Sequence, residues 1–116
     1  MRQAGIVAAA AVYALEHNVD RLGEDHAHAR LLAERLSELP GLSVNLAKVQ
    51  TNIVLVDLAT WLPAAADAAL ALRAGGVLCL PFGPRRLRLV THLDVDRAAC
   101  ERAVAVFGEQ LGAPAP

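Results

Sequence analysis

The stretch "GPRRLRLVTHLDV", residues 83–95, places three arginines within four positions at the mouth of a segment that otherwise reads as a buried β-strand. Successive side chains of a strand point to opposite faces. Along "RLRLVTHL" (86–93) this puts Leu87, Leu89, Thr91 and Leu93 on one face and Arg86, Arg88, Val90 and His92 on the other. The first face is core, and the second mixes cations with apolar residues. Arg85 and Arg86 read as solvated turn residues. Arg88 lies deeper, beside Val90, where a guanidinium needs an anion or several carbonyls to be tolerated. A carboxylate ligand held bidentately suits its planar fork; an internal Asp or Glu would serve as well.

Working outward, "VLCLPF" (77–82) is a partner strand joined to 86–93 through a Gly83-Pro84 turn. Asp94 or Asp96 caps a helix over about 97–111, and "GAPAP" (112–116) frays into solvent. Upstream, "PAAADAALALRAGG" (63–76) has proline in its first turn and two glycines after its last, the asymmetry of a helix. "LSVNLA" (42–47) alternates and "TNIVLVDL" (51–58) is a denser β-branched run, giving two strands linked by a turn around Lys48. Asp20 caps a second helix with Leu22, Ala29, Leu32, Ala33 and Leu36 on one face, ended by Pro40-Gly41. Residues 3–16 form a first helix, apolar on nearly every side, which asks for cover on more than one face. The order is ααββαββα. It implies an α+β fold: a small, mostly antiparallel sheet with helices packed on one face and nothing in the chain to cover the other.

Composition bounds the function. A chain of 116 residues, 55% hydrophobic and 20% charged, builds one compact core and is far from the composition of disordered chains. With 3% aromatic residues and a net charge of -1, it offers neither stacking platforms nor a basic field, so no nucleic-acid partner is expected and any anion site is local. Cys79 and Cys100 are too few for a disulfide framework or a zinc site and read as core thiols of a cytoplasmic protein. The apolar run between Arg2 and Glu16 falls short of the about 20 residues that span a bilayer, and no small-residue cleavage site marks a signal peptide, so no membrane partner is expected.

The remaining polar candidates are weaker. A cation at Arg2 opposes the dipole of the first helix, whereas the free amides there favour an anion, so Arg2 is either a phosphate contact or a mobile terminal side chain. His26 and His28, two apart on a helix, face opposite sides and do not suit a shared metal, so no metal site is expected. His92 is a candidate acid or base but stands alone. No nucleophile elbow, Walker loop or carboxylate pair is present in the sequence, and no catalytic residue is assigned.

Taken together, "MRQAGIVAAAAVYALEHNVDRLGEDHAHARLLAERL" (1–36), "TNIVLVDL" (51–58) and "FGPRRLRLVTHLDV" (82–95) resemble the C-terminal part of low-specificity threonine aldolases, lyases of pyridoxal-phosphate fold-type I. The similarity runs in register over nearly the whole chain, and "MRQAG" (1–5) and "RLVTHLD" (88–94) carry it most specifically. Aminotransferases share the fold type but lack those blocks. The resemblance implies an interdomain helix over 1–18 and a small C-terminal domain over 19–116, with pyridoxal 5'-phosphate held at a dimer interface by a lysine of a large preceding domain. It implies retro-aldol cleavage of a β-hydroxy-α-amino acid such as threonine to glycine and acetaldehyde, in a homo-oligomer. It gives Arg88 the substrate's α-carboxylate, Arg2 the cofactor phosphate of the neighbouring subunit, and Asn52 and His92 at most indirect, supporting roles. One departure stands out. The sole lysine, Lys48 in "LAKVQTNIV", sits in a strand-connecting turn and not in the family's cofactor-binding context. The large domain is expected to be missing from this chain, with Met1 at a position internal to the family. The alternative is a non-catalytic remnant or self-association module of the same fold.

Overall fold

The computed structural model describes residues 2–112. Its elements are α1 (Ala4–His17), α2 (Leu22–Ser37), β1 (Leu42–Ser43), a 3-10 turn (Leu46–Lys48), β2 (Ile53–Leu58), α3 (Ala65–Ala74), β3 (Leu80–Pro81), β4 (Arg86–Val90) and α4 (Arg97–Leu111). The strands form one antiparallel sheet in the order β1-β2-β4-β3, an α+β domain with the expected element order. Met1 and residues 113–116, where an internal methionine and a fraying tail are expected, lie outside the described residues.

The central pair fixes the layers. Val54, Val56 and Leu58 of β2 and Leu87 and Leu89 of β4 are buried, and they meet Ala29, Leu32, Ala33 and Leu36 of α2, Ala65, Ala68 and Leu72 of α3, and Phe107 and Leu111 of α4. The period of two in the strands and of 3.6 in the helices thus converge on a single core. The opposite sheet face carries Ile53, Leu55 and Asp57 paired with Val90, Arg88 and Arg86, all exposed or half-exposed. Leu93, expected on the core face, is 61% exposed, because the strand ends at Val90 and its alternation does not continue.

Three further element boundaries differ from expectation, two of them because backbone groups find other partners. Asp20 does not cap α2; the cap position is Arg21, whose guanidinium instead grips buried Asp25 through bonds of 2.8 and 3.2 Å. That grip raises the Arg21 pKa, the hydrogen bond contributing most. β1 stops at Ser43 because the next turn closes its own 3-10 bonds while the Leu46 carbonyl accepts from Arg30 at 2.9 Å. β3 is short because Pro81 has no N–H for the ladder and the Val77 amide is taken by the Leu72 carbonyl at 2.9 Å. The latter bond and Gly76 N–H to Arg73 O make a Schellman ending for α3, with Gly76 at φ +89 in the left-handed region that only glycine enters freely. α4 begins as expected, Asp96 Oδ1 accepting from the Ala99 amide at 2.7 Å.

α1 stands apart. It has no buried residue, with Ile6 79% and Leu15 71% exposed. The radius of gyration is 16.3 Å, against about 13 to 14 Å for a compact chain of this length. The apolar helix that the sequence marks as needing cover therefore finds none among the described residues. No helix among the described residues is long and apolar enough to cross a membrane.

Candidate functional site

β4 carries the three arginines, and the structure separates them by face. Arg85 is opposite Leu58, on the covered side, where its half-buried guanidinium donates to the carbonyls of Leu58, Ala59 and Leu62, the last at 2.8 Å. It is not a solvated turn residue; it staples the 59–62 turn to the start of β4. Arg86 lies on the open face and holds Asp57 across the β2–β4 ladder through bonds of 2.6 and 3.2 Å. Asp57 raises the Arg86 pKa, first through the hydrogen bond and then through its charge. Arg88, two residues on, is half-buried on the same face and has no hydrogen bond or ion pair among the described residues.

Arg88 borders a groove of ≈ 730 Å³ whose walls come from α3 (Ala69, Leu70), the β3 segment (Leu78, Leu80) and the end of β4 (Val90, His92). Leu78 is 79% exposed and Leu80 60%. A cation set among such surfaces is poorly solvated relative to open water, and an incoming anion that satisfies its fork is correspondingly favoured. The register explains the setting: Leu80, Arg88 and Leu55 form one cross-strand row, so an apolar side chain flanks the guanidinium on each neighbouring strand.

The other expected site residues are placed differently. His92 borders the groove but is exposed, its Nδ1 accepting from the Asp94 amide at 3.3 Å. Asn52 does not border it; its Nδ2 donates to the Thr91 carbonyl at 2.8 Å while the Thr91 amide donates to the Asn52 carbonyl at 2.9 Å. With Thr91 Oγ1 donating to the Asp25 carbonyl at 2.6 Å, this ties the end of β4 to both β2 and α2. Arg2 is exposed ahead of α1 and does not border the groove. Arg73, which the sequence reading passes over, does border it; its only sequence signal is a cation in the last turn of a helix, which usually means dipole complementarity and nothing more. Burial pushes both thiols up, Cys100 further helped by Asp96 and Glu101, so neither is an activated nucleophile. No cluster of metal-ligating side chains occurs among the described residues.

Comparison with known proteins adds a family. The β-eliminating lyase family model matches residues 1–59. A probable low-specificity L-threonine aldolase 2 of Arabidopsis thaliana is 40% identical over 108 residues, covering 92% of this chain and 30% of that protein. The low specificity L-threonine aldolase of Escherichia coli (strain K12) is 40% identical over 97 residues, covering 84% of this chain and 27% of that protein. The chain thus spans about 30% of the length of the relatives it matches.

Proposed function

Because the chain belongs to the β-eliminating lyase family, we propose that it is the substrate-clamping C-terminal portion of a pyridoxal-phosphate-dependent threonine aldolase, cleaving L-threonine or allo-threonine to glycine and acetaldehyde once complete. The observation that carries this reading is Arg88, half-buried, unpaired among the described residues and set in an apolar groove. A bidentate Arg88 would fix the α-carboxylate and so orient the bonds at Cα, a contribution of positioning and not of acid or base. In this reading residues 1–18 pack against the remainder of the enzyme and Arg2 reaches a neighbouring subunit's cofactor phosphate. The apolar surface of α1, none of it buried, supports the first part.

Similarity to β-eliminating lyases and threonine aldolases implies dependence on pyridoxal phosphate, but apart from Arg2 at a neighbouring subunit's phosphate the residues present here do not make a site for that group. The one lysine, Lys48, is exposed on the 3-10 turn. The hollow beside it, ≈ 270 Å³, has no aromatic or imidazole ring on which a pyridine could stack, and its carboxylate, Asp57, is engaged by Arg86. The cofactor's chemistry therefore belongs to the rest of the enzyme, and no step through it is assigned to this chain.

The 116-residue chain mixed with pyridoxal phosphate is accordingly expected to show no imine absorbance that survives dialysis. A stable band that disappears in Lys48→Ala would overturn this division of labour.

A further inference from the structure

Arg86 and Arg88 sit two residues apart on the open face, and that face of β2 and β4 presents one carboxylate, Asp57. Asp57 pairs directly with Arg86 in the ladder, while Arg88 pairs with Leu55, two residues from Asp57. Asp57 is thus the diagonal neighbour of Arg88, about 7–8 Å away across the ladder and within the span of an arginine side chain. Two cations compete for one anion, and Arg86 holds it through both carboxylate oxygens. The Arg86–Asp57 side chains are 44% and 46% exposed, and ion pairs so open to solvent contribute little to stability. Their geometry matters for what it withholds.

We infer that Arg86 is a positioning residue for the clamp: by holding Asp57 bidentately it keeps that carboxylate off Arg88 and leaves the Arg88 fork open to the substrate. The inference rests on the assignment of Arg88 to a substrate carboxylate. Without Arg86, Asp57 would turn to Arg88 and act as an internal competitor of the amino acid. Lys48, which borders the same hollow as Asp57, is the rival cation.

Two measurements test this. In the 116-residue chain, Arg86→Gln should protect the Arg88 Nε–H resonance from solvent exchange in NMR spectra, and adding Asp57→Asn should remove the protection. An unchanged Arg88 resonance, whether because Lys48 captures Asp57 or because nothing does, overturns the inference. In the full-length enzyme carrying this segment, Arg86→Gln should raise KM for L-threonine about two- to fivefold, the share an exposed ion pair can withhold, with kcat unchanged because only ground-state binding is contested. Arg86→Gln/Asp57→Asn should restore KM, a rescue that a merely structural role of Arg86 would not give. If Arg88→Ala raises KM and Arg86→Gln does not, the inference falls and the clamp stands. If Arg88→Ala leaves KM unchanged, the carboxylate assignment itself falls, and the inference with it.

Discussion

Replacing Arg88 by alanine in the enzyme that carries this segment is expected to lower kcat/KM for L-threonine by about 10²- to 10³-fold, the effect of truncating one partner of a desolvated, hydrogen-bonded charge pair. Arg88 stands among Leu78, Leu80 and Val90, with Leu55 and Leu80 as its cross-strand neighbours. A carboxylate entering there meets two parallel N–H donors flanked by apolar side chains. Part of the loss should appear in KM, because the carboxylate contact forms on binding. Part should appear in kcat, because an unclamped amino acid samples the wrong rotamers about Cα. Arg88→Lys should fall between the two proteins, keeping the charge and losing the fork. Cofactor loading, followed by absorbance of the purified protein, should match the parent. A parallel loss of cofactor would contradict the assignment of Arg88 to the substrate.

Phe107→Ala is expected to cost about 3–5 kcal/mol of folding stability, measured by urea unfolding with the slope compared to the parent. Phe107 is 0% exposed and is the largest fully buried side chain, in a core otherwise made almost wholly of Ala, Val and Leu. Such neighbours have little freedom to collapse into a phenyl-sized void. Domains of this size keep about 5–15 kcal/mol in total, so the variant should be marginal or unfolded at physiological temperature. A change below about 1 kcal/mol would mean that α4 is not the floor of the core that holds the sheet.

The core of this fold was legible in two periodicities. The alternation in 86–90 separates Leu87 and Leu89 from Arg86 and Arg88, and the 3.6-residue spacing of Ala29, Leu32, Ala33 and Leu36 marks the buried side of α2. The paired glycines after α3 and an aspartate cap for α4, Asp96 of the two candidates Asp94 and Asp96, are also legible, since their chemistry is local. Arg85 reads as a solvated turn residue yet is half-buried, although the same alternation run back from Leu87 places it on the covered side. What no local pattern reveals is that the carbonyls of residues 58, 59 and 62 converge there. β1 and β3 are shorter than their sequence pattern for a related reason: their residues have strand character, but Arg30 and the end of α3 capture the backbone groups a longer ladder would need. Arg88 was singled out by its depth in the strand, whereas its groove partners on α3, Arg73 among them, depend on how two distant segments meet. Asn52 carried a family signal whose local structural meaning is a clasp on Thr91, visible only once β2 and β4 are paired.

The most direct test of the central claim, that this chain supplies a clamp and not a cofactor site, is the intact mass of the native protein isolated from its source. The expected result is a product roughly three times as long as the 116 residues described, in keeping with the 30% span of its relatives, carrying a lysine upstream that forms the imine with pyridoxal phosphate. A native product of 116 residues alone would contradict it and leave a non-catalytic or self-associating remnant whose Arg88 has no substrate to hold.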